Sequence, residues 1–361
     1  MTTFIAVISV VIALLGVTIA NPTARAADVP APDDGYGFSQ GAATQYLSAA
    51  DVNRELDAVA KTHAQWLRVF IDWSSVEATK GSYDWTIPDR LVAAARARNL
   101  KVLALVTTTP TWARRAAAPG QLGIYAPPSD PATLGAFLQK VIARYDDVTR
   151  FEIWNEPNLP AFWGLTPSNP TEYTALLKAA YAAVKQKLPG TESTVVAAGM
   201  SPDAGAVDFV TKMYAAGAKS YFDAAAMHPY VFPGGISATP NGWTELQQIR
   251  GVMESYGDSA KRIWITEMGA PTRPTTTSDT TSSSGSTGSL GFGVNEMVSQ
   301  QEQATQILDV LSAAKNSGYC GPAFIYSVRD WGTSANNRED NFGALLTNDW
   351  QPKYTASVLA R

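Results

Sequence analysis

Short apolar runs alternate with longer stretches of helical spacing along most of the chain. The runs at 35–39, 66–72, 101–107, 151–155, 194–198, 224–228, 262–266 and 323–327 are apolar on both faces, the pattern of strands covered on both sides. Between them, residues 51–63, 87–99, 131–145, 171–188, 207–216, 244–256 and 296–317 repeat apolar side chains three and four apart, as amphipathic helices do. The stretch 352–360 supplies a closing helix. Strands alternating with helices in this way predict an α/β fold, a single (β/α)8 TIM barrel with parallel strands inside a ring of helices. No internal repeat and no linker divides it.

Two segments break the alternation. Residues 1–26 hold an apolar run at 4–20 followed by Ala24-Arg25-Ala26, an A-x-A cleavage pattern, so a secretory signal peptide is expected there and the catalytic domain spans 27–361. The first three residues carry no Lys or Arg, which leaves an uncleaved anchor as the alternative. Either way the domain is expected outside the cytoplasm, secreted or associated with the cell envelope. The stretch 274–291, "PTTTSDTTSSSGSTGSLG", is almost wholly Ser, Thr, Gly and Pro and has too little apolar surface to order itself. It follows the seventh predicted strand, where a parallel barrel carries a loop at its active face.

Charge and composition remove several function classes. A formal charge of −4 without any block of Lys or Arg gives no footprint for nucleic acid or an anionic membrane, so a neutral substrate is expected. Cys320, the single cysteine, cannot form an internal disulfide and reads as a small buried hydrophobe rather than a reactive thiol. With His63 and His228 the only histidines, and no glycine-rich phosphate loop, neither a metal site nor a cofactor is expected. The chemistry falls to side chains.

The candidates stand at strand ends. "FEIWNEPNLPAFWG" (151–164) runs an apolar strand into Asn155, Glu156 and Pro157, and "IWITEMGAP" (263–271) ends another on Glu267. Closing the barrel sets these glutamates at one mouth, and a pair of carboxylates in an aromatic-lined cleft is what glycosidic bond cleavage requires.

"IWNEPN" followed by "IWITEMG" resembles clan A of the glycoside hydrolases, retaining barrel enzymes. "LRVFIDWSSVEATKGSYDW" (67–85), "TPTWA" (109–113), "MHPYV" (227–231) and "VSQQEQA" (298–304) are most similar to family 39 and bacterial family 5. The resemblance covers nearly the whole chain after the export segment. It implies Glu156 as acid/base, Glu267 as nucleophile, Asn155 on the sugar's 2-hydroxyl, Arg68 keeping the nucleophile ionised, and His228 and Tyr230 supporting that nucleophile. It also implies Trp331 as the platform beneath the sugar. Trp112, Trp163, Tyr326, Trp73 and Phe162 are further candidates for lining the cleft, each with core packing as the competing reading. Trp154 and Trp264 read as structural.

The expected function is a monomeric, endo-acting retaining glycoside hydrolase on a neutral polysaccharide or envelope glycan. An exo-acting β-xylosidase-like enzyme and a non-catalytic carbohydrate-binding protein are the alternatives.

Overall fold

A computed structural model describes residues 29–41, 43–116, 121–202, 204–274 and 296–360. The expected export segment 1–26 lies outside them, as does all of the 274–291 stretch but Pro274. No helix among the described residues is long and apolar enough to cross a membrane.

Eight parallel strands close into a barrel in sequence order. They are β1 Tyr36–Ser39, β2 Trp66–Asp72, β3 Lys101–Thr107, β4 Arg150–Ile153, β5 Thr194–Met200, β6 Ala224–Met227, β7 Ile263–Met268 and β8 Cys320–Tyr326. The outer ring comprises α1 Ala49–Ala60, α3 Thr86–Arg96, α4 Pro131–Arg144, α5 Pro170–Lys187, α6 Ala206–Ala215, α7 Gly242–Ser255, α8 Gln300–Ser317 and α9 Tyr354–Leu359. A short α2, Trp73–Val76, opens the connection after β2.

Local chemistry starts the helices where they begin. Asp130 and Asn169 cap α4 and α5, each followed by Pro at the first turn, where a missing N–H costs nothing. Asn241 and Ser299 form capping boxes with Thr244 and Glu302. The strands are nearly all buried, β3 in one run after Lys101, because helices cover one face and the barrel interior the other. At the lower level of the interior Trp66, Leu103, Val196, Ala224, Trp264 and Phe324 pack together, so Trp264 is structural as read from sequence. Cys320 is buried at the start of β8, and burial pushes its thiol up to about 11, as suits an inert hydrophobe.

Of the strand boundaries that differ from expectation, two matter for the site. The fourth strand stops at Ile153 rather than running to 155, because Trp154 adopts a φ of +75° and leaves the extended region. Tyr173 of α5 bridges the gap, donating its hydroxyl to the Ile153 carbonyl at 2.9 Å and accepting from the Ala198 amide at 2.7 Å. The seventh strand runs on to Met268, so Glu267 belongs to β7 itself and is held by the sheet.

Candidate active site

Arg68 organises the upper barrel. It sits on β2 in register with Ser39 of β1, 3% exposed, and every donor of its guanidinium is used. Nε and Nη2 donate to Glu152 at 2.6 and 3.2 Å, Nη1 to Ser39 Oγ at 3.1 Å and Glu267 Oε1 at 2.5 Å, and Nη2 also to Asn155 Oδ1 at 2.7 Å. One side chain thus ties β1, β2, β4 and β7 together. Burial alone would discharge it, but Glu152 and Glu267 hold its pKa above the ordinary arginine value.

Glu267 receives three partners. Tyr230 Oη donates to Oε2 at 2.8 Å, Arg68 holds Oε1, and His228 Nδ1 lies 3.7 Å from Oε2. Burial would push this carboxyl up; the charges of His228 and Arg68, with the Tyr230 and Arg68 hydrogen bonds, outweigh it and hold it below the usual glutamate range. It is an anion kept ready in a buried place.

Glu156 emerges three residues beyond β4 with a φ of +43°, a sparsely populated conformation held by its N–H donating to the Gly199 carbonyl at 3.0 Å. Its Oε1 lies 2.8 Å from His228 Nδ1, and His228 Nε2 lies 3.0 Å from Thr266 Oγ1. His228 thus hydrogen-bonds Glu156 and supports Glu267 through its charge, 3.7 Å from Oε2. Burial lowers the imidazolium, but Glu267 and Glu156 together raise it above its usual value. Gly199 makes the arrangement possible, since a Cβ there would meet His228 Nε2 at 2.1 Å. Carboxylate oxygens of Glu156 and Glu267 lie within 4.8 Å of each other.

The same spacing brings Glu156, His228 and Glu267 into a set that could ligate a metal ion. A cation there would meet the Arg68 guanidinium, already 2.5 Å from Glu267.

No family model matches the chain, and no curated protein sequence does. Solved structures do. A family 39 glycoside hydrolase of Bacteroides cellulosilyticus has a TM-score of 0.65 at 21% identity, covering 93% of this chain and 64% of that one. A family 39 enzyme of Xanthomonas axonopodis pv. citri has a TM-score of 0.64 at 18% identity, covering 91% and 66%. The fold is that of the family 39 glycoside hydrolases. A monomeric β-xylosidase of Caulobacter crescentus is similar too, with a TM-score of 0.65 and 17% identity, covering 92% and 69%. The chain spans slightly under two thirds of the first two of these proteins.

Around the glutamates lies a cavity of about 250 Å³ at the C-terminal ends of the strands. Besides Tyr230 its aromatic lining is Phe70, Tyr125, Phe162, Phe232, Tyr326 and Phe342, so Phe162 and Tyr326 fall where the sequence placed them. The tryptophans do not. Trp163 is wholly buried between Trp154 and Tyr173, and Trp112 donates its indole N–H to the Glu77 carbonyl at 2.9 Å, edge-on to a buried Trp73. Trp331, expected as the platform, packs over Gly41, five residues beyond Tyr326 at the end of β8. Trp73 and Trp163 are fully buried, whereas Trp112 and Trp331 are half-buried beside the cavity-lining rings.

Sequence reading missed Glu152, Gln40 and Tyr125. For Glu152 the signal was present, since a charge in the buried run "RFEI" is as anomalous as Arg68 in "WLRVFID". Nothing in the sequence marks Tyr125.

Proposed function

We propose that the protein is a retaining β-glycosidase. The observation that carries this is the pair Glu156 and Glu267, with oxygens within 4.8 Å, which fits the short carboxyl separation of about 5–5.5 Å in retaining enzymes and excludes a water from between carboxylate and sugar. Glu267, an anion fixed by Arg68 and Tyr230, attacks the anomeric carbon. The bond to the leaving oxygen breaks as Glu156 gives that oxygen its proton, and a glycosyl ester forms on Glu267. Water then gives its proton to Glu156 and displaces Glu267 from the opposite face, where the leaving group stood, so the configuration is retained. Asn155 accepts from Arg68 through Oδ1, which leaves its Nδ2 hydrogens for the sugar's 2-hydroxyl.

The action proposed is exo. The cavity is lined from all eight strand ends and, at about 250 Å³, is smaller than the ~300–1,000 Å³ of ordinary ligand pockets, a size for one sugar unit rather than a chain. Structural relatives named as a β-xylosidase and an exo-β-1,4-mannosidase support this reading. The endo action expected from the sequence is the alternative, and early release of oligosaccharides without monosaccharide would establish it. The cleavage pattern at 24–26, behind the apolar run at 4–20, supports action outside the cytoplasm. Mechanism is tested by trapping with a 2-deoxy-2-fluoro aryl glycoside and by NMR of the first-formed product. Label on Glu267 and a retained anomer are expected; an inverted anomer overturns the assignment.

A further inference from the structure

Gln40 is the first residue after β1. It is 7% exposed, it lines the cavity with Glu156 and Glu267, and among the described residues neither its Oε1 nor its Nε2 has a hydrogen-bond partner. Among the described residues with buried unpartnered side-chain atoms, only Gln40 lines this cavity. Its backbone is pinned on both sides. The Gln40 amide donates to the Arg68 carbonyl at 3.2 Å, Ser39 Oγ accepts from Arg68, and Trp331 lies so close over Gly41 that a Cβ there would meet its Nε1 at 2.5 Å.

Burying an amide with both ends unpaired forfeits its hydrogen bonds to water without replacement, so such a side chain signals a ligand that completes it. The place of β1 says which part of the ligand. In the closed order β1 to β8, β1 lies across the barrel from β4 and β5, and Glu156, which protonates the leaving group, stands beyond β4. Asn155, also beyond β4, takes the 2-hydroxyl. The end of the sugar ring remote from the cleaved bond therefore points to the β8–β1 sector, where Gln40 waits.

An amide offers an acceptor and a donor side by side. Two hydroxyls on adjacent carbons match that pair, one donating to Oε1 and the other accepting from Nε2. We infer that Gln40 is a specificity-determining residue that binds the 3- and 4-hydroxyls of the sugar unit being released. This rests on the glycosidase reading and adds a substrate class, neutral pyranosides with an unsubstituted 3,4-diol. A unit linked onward through its 4-oxygen lacks one of the two hydroxyls, so the residue favours the non-reducing terminal unit of a 1,4-linked chain.

The test is a double-mutant cycle between Gln40→Leu and the substrate. In the full-length protein, kcat/KM is measured for an aryl β-glycoside and its 2-, 3- and 4-deoxy analogues. Wild type should lose about 5–150-fold on removal of the 3- or the 4-hydroxyl, in keeping with one buried hydrogen-bonding group left unpaired. Gln40→Leu should lose a similar factor on the parent glycoside and nothing more on the 3- and 4-deoxy analogues, while the 2-deoxy loss stays additive. Equal losses by the variant on all four glycosides would overturn the proposal. The same cycle run by calorimetry on the corresponding methyl glycosides needs no turnover. If wild type cleaves no glycoside yet shows the coupling in binding, the Gln40 inference stands and the glycosidase reading falls. Absence of coupling in both assays rejects Gln40 alone. Thermal melting of Gln40→Leu at or above the wild-type temperature shows that the fold is intact, because the substitution removes unpaired buried polar atoms.

Discussion

Arg68 and Glu152 form a two-point ion pair inside the barrel, Nε to Oε2 at 2.6 Å and Nη2 to Oε1 at 3.2 Å, with Glu152 wholly buried. Glu152 also accepts the Gly199 amide at 3.1 Å, so it orients the arginine and shares its charge with Glu267. Glu152→Gln keeps the shape and removes that share. The Arg68 charge then falls more fully on Glu267, and the acid limb of kcat/KM should move to lower pH by roughly one unit. An unmoved limb would leave Glu152 a packing residue. Glu152→Ala removes the partner outright and should destabilise by about 3–5 kcal/mol in urea unfolding.

Arg68→Met shifts the limb the other way. Glu267 is held below the ordinary glutamate range by His228 and Arg68 against burial, so it stays ionised until pH falls through that lowered value. Without Arg68 the depression weakens, and the acid limb should rise toward or past about 4.3, the unperturbed glutamate value. An aryl glycoside with an excellent leaving group isolates this limb, because it needs no proton from Glu156.

The two glutamates should fail differently. Glu267→Ala should abolish the glycosyl-enzyme, read by mass spectrometry after fluoro-sugar trapping. Glu156→Ala should still form it with a dinitrophenyl leaving group while losing about 10²–10⁴-fold on substrates that need protonation. Azide added to the Glu156 variant should yield a glycosyl azide of retained configuration; an inverted azide would argue against a covalent intermediate on Glu267.

Lys353 is buried with its Nζ 3.1 Å from both oxygens of Asp330 and 2.7 Å from Thr272 Oγ1, beneath the segment that carries Arg338, Glu339 and Phe342 to the cavity. Burial pushes Asp330 up to about 6 in spite of Lys353. A carboxyl raised by folding stabilises the fold while protonated, and that contribution is lost as pH rises through about 6. Lys353→Met should therefore cost about 3–5 kcal/mol near pH 8, where it strands a buried anion, and less below pH 6. A deficit independent of pH, in denaturant melts from pH 5 to 8, would show that Asp330 does not titrate there.

The architecture was legible along the chain because periodicity is local. Two-sided apolar runs and three-and-four spacing follow from one strand or one helix meeting a core, and the barrel's order restates the order of those runs. Glu156 and Glu267 were legible for the same reason, as carboxylates at or near the end of apolar strands. Pairing is not local. Arg68 and Glu267 are 199 positions apart, His228 and Glu156 are 72 apart, and only closure of the barrel decided that the histidine bonds Glu156 rather than Glu267. Closure also decided which rings face the cavity. Trp112, Trp163 and Trp331 share the aromatic character of Tyr326 and Phe342, and whether such a ring lines a site or fills the space behind it depends on neighbours contributed by other strands.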